Sequence, residues 1–259
     1  MIPLFLIPVI VAFLLVRAPK ILGIFASVAV LAVVYKLKGL NSIEFLYYSV
    51  NGVVLGWFFA FAVIRKKSLF AIAVTAVVFE LLIQVVVGTI PQYEAVYRKV
   101  LDTAAESVSS LFAMPELSQA MINFQWKILV PFSETLKSAI YALVLGIVLH
   151  RFAYGERRKL SEFNMPYWSV WVLAAALALA IFSGGSRNGN LLLLGMTVLY
   201  LVNGVSLVRL FFAQPGRSRV GEVLFFLMQI WLLFLPILFL GLMEYWMDLR
   251  GKLVRVQEK

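Results

Sequence analysis

Residues 69 to 90 read LFAIAVTAVVFELLIQVVVGTI, 22 positions whose only polar side chains are Thr75, Glu80, Gln84 and Thr89. Arg65-Lys66-Lys67 stands before this run and Pro91 closes it. A helix of about 20 apolar residues crosses the roughly 30 Å hydrocarbon core of a bilayer. Lipid offers backbone amides no hydrogen bonds, so a lone apolar run of this length has to satisfy them within itself, as a helix. The stretch therefore predicts a transmembrane helix, and the rest of the chain repeats its pattern.

Upstream, Ile2 to Val16, Ile21 to Tyr35 and Ile43 to Ile64 are apolar runs separated by Arg17 and Lys20, by Lys36 and Lys38, and by the Arg65 cluster. The first two are short for a bilayer core and need tilt, distortion or snorkelling lysines. The first also lacks a basic region before it and a small-residue cleavage pattern after it, so it is expected to remain as a span. Downstream come Ile128 to His150, Trp168 to Ser183, a tight turn from Gly184 to Gly189, Leu191 to Ala213, and Val223 to Trp246, where Pro236 is expected to kink the helix. The 259 residues are 63% hydrophobic and 14% charged, with a mean hydropathy of +0.95, too little polar sequence to cover a water-facing surface. The expected fold class is all-α, a polytopic integral membrane bundle of about eight spans forming one membrane domain over residues 1–259.

Residues 91–125 break the pattern. Tyr93, Val96, Tyr97, Val100, Leu101, Ala104, Val108, Leu111 and Phe112 recur at helical spacing with Glu94, Arg98, Asp102 and Glu106 between them. This predicts an amphipathic extramembrane helix, followed by a short one from Pro115, lying across the bundle mouth or in the headgroup layer. A lid or a partner-docking helix is the other reading.

The net charge is +10, from 23 Lys and Arg against 13 Asp and Glu. Basic loops retained on the cytoplasmic side and touching anionic lipid account for such an excess. The basic residues are scattered in short loops, which argues against nucleic-acid binding. Loops after spans one, three, five and seven hold 12 Lys and Arg; the opposite side holds 10, or 6 without the C-terminal tail. The positive-inside rule then places Arg65 to Lys67 and Arg157 to Lys159 in the cytoplasm and Tyr93 to Phe112 on the other side. Because the chain has no cysteine, single-cysteine labelling checks this directly. Lys66→Cys and Glu106→Cys should label from opposite sides, and labelling from one side would overturn the topology.

The same composition limits the chemistry. The absence of Cys removes disulfides, thiolate metal sites and a cysteine nucleophile. His150 is the one histidine, too few for a multi-histidine metal centre, and its place at a span end beside Arg151 suits a helix-end residue near the dipole's negative pole. The Gly184 to Gly189 stretch follows no strand and lacks a Lys-Ser/Thr ending, so it is a turn and not a phosphate loop. No acid/base constellation is visible. The expectation is a non-enzyme without metal or cofactor, and active transport would take ATPase partners or an ion gradient.

Two sets of residues stand out. Glu80 lies about 16 Å along its span from Leu69, near the bilayer midplane, and Gln84 follows one turn later on the same face. In the fifth span, Glu134 and Lys137 are three residues apart and share a stripe with Ser138 and Tyr141. Depth arithmetic puts Lys137 level with Glu80 and Glu134 level with Gln84. These four are the candidates for a ligand-binding or proton-sensitive cluster, with a Glu80–Lys137 pair across spans and the local Glu134–Lys137 pair as alternatives. Charges at such depth are costly and usually face a bundle interior. The second set is small: Gly52, Gly56 and Ala60 in span three, and Ala174 with Ala178 and Ala176 with Ala180 in span six, faces that let helix backbones approach closely.

In the C-terminal half, Glu162-Phe163-Asn164-Met165-Pro166-Tyr167-Trp168, Asn190-Leu191-Leu192, Leu199-Tyr200-Leu201-Val202-Asn203-Gly204 and Leu240-Gly241-Leu242 through Tyr245-Trp246-Met247-Asp248-Leu249-Arg250 occur in that order. In order and spacing they resemble the YybS-like family of bacterial predicted membrane proteins, a domain of unknown function. Gly52, Gly56, the Arg65 to Ser68 loop and Val130-Pro131 extend the likeness over most of the chain. Met243-Glu244 follows the Gly-Leu pair where the family pattern has an acidic residue directly. The family is distantly similar to the membrane-embedded substrate-binding components of energy-coupling vitamin transporters. The resemblance implies a multi-pass protein of the bacterial cytoplasmic membrane that binds or transports a small molecule. The alternative is a non-transporting scaffold for cell-envelope or division partners. In both readings the partners are the lipid bilayer and membrane proteins, with no nucleic acid.

Overall fold

The computed structural model describes residues 55–65, 68–89, 124–155, 158–214, 216–232 and 234–257, with isolated helical positions before residue 33. All of the regular structure among them is helical. The helices are α1 (Leu55–Ile64), α2 (Leu69–Gly88), α3 (Val130–Tyr154, preceded by a π-helical turn Gln125–Leu129), α4 (Ser169–Phe182), α5 (Arg187–Phe212), α6 (Arg219–Trp231), α7 (Leu235–Met247) and α8 (Leu249–Gln257). The expected first two spans, residues 43–54 of the third, Gly52, and the amphipathic helices of residues 91–123 lie outside the described residues.

Three of these helices are long and apolar enough to cross a membrane, over Leu69–Val86, Lys127–Tyr154 and Arg187–Phe212. Two shorter apolar helices, Ser169–Phe182 and Leu235–Met247, accompany them. Inside the long helices the hydroxyls bond back to carbonyls of their own turn: Thr75 to Ala71 at 2.8 Å, Thr135 to Pro131 at 2.7 Å and Thr197 to Leu193 at 2.8 Å. Each bond removes a polar group that lipid would otherwise penalise. The ends follow local chemistry. The Ser68 hydroxyl accepts the Ala71 amide at the start of α2, and Gly155, at φ +69°, closes α3 in the left-handed conformation that glycine adopts without strain.

Two boundaries differ from expectation. The turn before α5 is shorter than Gly184 to Gly189: Gly184 and Gly185 take positive φ, Ser186 caps by accepting the Gly189 amide at 3.1 Å, and Arg187 already begins the helix. The last span is broken rather than kinked. Phe234 takes a left-handed conformation at φ +58°, its amide reaches back to the Gln229 carbonyl, and Pro236 sits in the first turn of a new helix, where its missing N–H costs nothing. Asp248, at φ +43°, makes a second reversal, and its carboxylate accepts the Gly251 amide at 3.2 Å to start α8.

The chain packs as two compact units. One contains α1, residues 69–76 and Ile140–Phe163. There Gly146 admits the Ile72 and Leu69 side chains at ordinary contact distance or slightly less, Phe70 and Phe163 lie 6.0 Å apart ring to ring, and His150 is fully buried 5.9 Å from the Tyr154 ring. His150 lies about one turn before the end of α3, near its negative pole, as expected, and is buried there. The second unit is Val77–Ala139 with Asn164–Lys259. Its centre is α5, 72% of whose span is buried against 44% and 39% for the spans of α2 and α3. Helix α5 packs chiefly on α7 and α4. Trp171, Leu177, Ile181 and Phe182 of α4 face outward, as do Val220, Val223, Leu224, Leu227 and Met228 of α6, which is where a membrane protein places side chains that meet lipid.

Candidate functional site

Glu80 and Gln84 are one turn apart on α2 and only 4% and 5% exposed. Gln84 Nε2 donates to Glu80 Oε1 at 2.9 Å. From α3, Ser138 Oγ donates to the other carboxylate oxygen at 3.0 Å. At the start of α5, Arg187 Nη2 donates to Gln84 Oε1 at 2.6 Å and Nη1 to the Gln84 backbone carbonyl at 3.0 Å. Four side chains from three helices thus form one buried line, Ser138–Glu80–Gln84–Arg187, inside the second unit.

The Gln84 amide is oriented by both neighbours. Its NH₂ faces a carboxylate, which only accepts, and its oxygen faces a guanidinium, which only donates, so the chemistry of the line admits one orientation. The line holds one carboxyl group and one guanidinium, joined through the Gln84 amide. Arg187 stands in the first turn of α5, where the macrodipole disfavours a cation; its bonds to Gln84 account for the placement. Gly88 supplies the room, since a Cβ there would fall on the Arg187 guanidinium.

Of the two pairings open to Lys137, the structure has the local one. Lys137 pairs with Glu134 on its own helix at 2.6 Å, and the side chains are 62% and 30% exposed. Ser138, the next residue, reaches Glu80. One residue turns the side chain by about 100° around a helix, and the inward face of α3 runs through Thr135, Ser138, Ala139 and Ala142. The expected four-residue cluster therefore separates into the buried line and the local pair, and Arg187 takes the position beside Gln84 that the level arithmetic assigned to Glu134.

Of the small-residue faces, Gly56 and Ala60 are buried. On α4 the inward pair is Ala176 and Ala180; Ala174 is exposed and Ala178 half-buried. The closest backbone approach lies elsewhere. A Cβ on Gly204 of α5 would strike the Ile237 carbonyl of α7, and a Cβ on Gly241 of α7 would strike the Tyr200 carbonyl of α5. Between these reciprocal contacts Asn203 Nδ2 donates to the Gly241 carbonyl at 3.1 Å. Two helices so close exclude side chains from their seam, and only glycine fits at both positions.

A second polar group lies beside that seam. The backbone amide of Arg250 donates to both Glu244 oxygens at 3.3 and 3.1 Å, its guanidinium stands 3.9 Å from Glu244, and Nη2 donates to Ser206 Oγ at 3.0 Å. Burial lowers the Arg250 pKa from its ordinary value, and the Glu244 carboxylate pulls it back up. Ser169 Oγ and Tyr200 Oη are 3.0 Å apart, and the Tyr167 and Tyr245 rings meet edge to face at 5.8 Å. Asn164, Met165, Tyr200, Asn203, Glu244 and Tyr245 share a narrow cleft with about 10 Å³ of room, on the order of one water molecule.

A family model described as a predicted membrane protein (DUF2232) matches residues 1–243. The chain belongs to this family. Comparison with curated proteins and with solved structures returns no match. The family match and the apolar helices together make this a membrane protein whose function the family description leaves open. Within the family region, the residues that carry the resemblance include those of the seam and the cleft: Asn164-Met165-Pro166-Tyr167, Tyr200, Asn203-Gly204 and Gly241. They hold α4, α5 and α7 together.

Sequence reasoning misses Arg187, Ser206 and the Glu244–Arg250 contact. Arg187 is hidden by the glycines around it, which read as a turn; its signal is an arginine directly after a Ser cap and before a long apolar run. Glu244 lies four residues before the Asp248 reversal, and that reversal folds Arg250 back onto it, a step that helical periodicity does not contain.

Proposed function

We propose that this family member is a multi-pass subunit of the bacterial cytoplasmic membrane that binds or passes a small polar solute, and that the Ser138–Glu80–Gln84–Arg187 line is its polar element. The observation that carries this reading is a continuous chain of buried, mutually hydrogen-bonded polar side chains in the span region, where ionisable groups are costly and a default sign of a solute or ion pathway. The scaffold reading draws on small-residue faces, of which Gly56, Ala60, Ala176 and Ala180 are already buried within this chain.

The test is extraction from native membranes without denaturation, followed by mass spectrometry of small molecules and proteins. A solute should accompany the wild type and the Lys137→Gln variant, and fall at least tenfold in Gln84→Leu preparations that still unfold cooperatively. A stable protein partner without any solute would replace this reading by the scaffold. Equal solute in all three preparations would remove the polar line from the function.

A further inference from the structure

An apolar cavity of about 370 Å³ in the second unit lies among α5, α6, α7 and α8. Its wall includes Leu207 and Val208, both buried, with Phe211, Phe212 and Phe225, and the single charged residue that lines it is Lys252. Its size falls in the range of small-molecule pockets. Its wall has almost no polar group to hold water, so what fills it is hydrocarbon.

Local structure explains why the cavity has one cationic edge. The reversal at Asp248 turns the chain into α8, and Gln214 Nε2 donates to the Leu253 carbonyl at 3.2 Å, tying α8 to the end of α5. Lys252 is exposed and makes no ion pair among the described residues. Beside the cavity, α6 turns Val220, Val223, Leu224, Leu227 and Met228 outward at i, i+3, i+4 spacing, and exposed Arg217 and Arg219 stand at its start. An apolar stripe with cations at one end is the pattern of a helix lying at the boundary of headgroups and acyl chains.

We propose that this cavity is a binding site for one anionic phospholipid, an acyl chain between α5, α6, α7 and α8 and the headgroup phosphate on Lys252. Hydrocarbon chemistry matches the wall, and a negative headgroup matches Lys252 at its edge, with Arg217 stacked 4.3 Å over the Phe211 ring nearby. A basic residue at a membrane surface contributes a preference of about fivefold for an anionic over a neutral lipid.

The full-length protein in detergent is incubated with equimolar phosphatidylglycerol and phosphatidylcholine of identical chains, with a free fatty acid in a parallel arm, and adducts are counted by native mass spectrometry. Wild type should retain phosphatidylglycerol about fivefold over phosphatidylcholine, with the fatty acid held more weakly. Lys252→Glu should erase the headgroup preference and leave total lipid near normal. Val208→Trp, which fills the cavity, should reduce both lipids. Lys159→Glu, the same charge change at a residue that does not line the cavity, should leave the preference intact. Circular dichroism confirms that each variant retains its helices; should Val208→Trp misfold, the Lys252 and Lys159 pair decides alone. An unchanged preference in Lys252→Glu, an equal loss in Lys159→Glu, tighter retention of the fatty acid, or no lipid adduct on the wild type would each overturn the proposal.

Discussion

Gly204→Ala and Gly241→Ala should each destabilise the protein by about 3 kcal/mol or more, the upper range for overpacked interiors, whereas Gly195→Ala should stay within about 1 kcal/mol of wild type. All three glycines are in helices, where alanine is favoured over glycine by about 1 kcal/mol. What separates them is the neighbour that the new methyl group meets. At Gly204 it is the Ile237 backbone carbonyl and at Gly241 the Tyr200 carbonyl, and neither moves unless a helix moves. At Gly195 the nearest atom is the Leu81 Cδ1 at 2.7 Å, the far end of a side chain that has other rotamers.

Separating α5 from α7 also lengthens the bond from Asn203 Nδ2 to the Gly241 carbonyl, leaving a buried amide without that acceptor. Unfolding in mixed micelles, followed by circular dichroism, measures all three variants on one scale. Stability near wild type in Gly204→Ala would mean that the helices stand further apart than the seam requires. A loss in Gly195→Ala as large as in Gly204→Ala would mean that any added bulk on α5 is penalised and that the seam is not special.

How much of this is legible in the sequence depends on which property is read. Hydrophobic length alone places α2, α3 and α5, because a bilayer selects for length and composition, and residues 69–86, 127–154 and 187–212 satisfy both. Polar residues inside the runs are equally visible, so Glu80 and Gln84 stand out by composition alone. Their partners do not. Depth follows from counting residues, but azimuth follows from which face of a helix its neighbours bury, and that is a property of the assembled bundle. Lys137 and Ser138 differ by about 1.5 Å in depth and about 100° in direction, and the direction decides the contact. Breaks are hidden for another reason. Pro236 announces a disturbance near the last span, yet the left-handed residues are Phe234 and Asp248, two side chains with no strong turn preference between them, and tertiary packing sets their conformation. Small-residue spacing within α4 marks Ala174 with Ala178 and Ala176 with Ala180 alike, although only the second pair is buried, and it passes over Gly204 and Gly241. Those two glycines lie on different helices, and no spacing rule within one helix connects them.

The buried line makes the sharpest test of partner assignment. Arg187→Met removes the guanidinium and leaves the Gln84 side-chain oxygen and backbone carbonyl without their donor, while Glu80 keeps its bonds from Gln84 and Ser138. A buried acceptor left unsatisfied costs roughly 1–3 kcal/mol. Glu80→Gln should likewise destabilise on its own. The double variant should lose less than the sum of the two by about 1 kcal/mol or more, the coupling expected within one hydrogen-bonded network. Glu80 and Arg187 are coupled through the Gln84 amide, which holds a donor to one and an acceptor to the other. A parallel cycle with Lys137→Met separates this arrangement from the pairing that depth alone suggests. Lys137 is bonded to Glu134 and largely exposed, and only a solvent-screened charge interaction reaches Glu80 from it, so its substitution and Glu80→Gln should add to within about 0.5 kcal/mol. Additive losses in the Arg187 cycle together with coupling in the Lys137 cycle would reverse the assignment and make Lys137 the partner of Glu80. Coupling in the first and additivity in the second would establish that the carboxyl group in the middle of α2 is held from the start of α5, through Gln84, by a cation placed against that helix's own dipole.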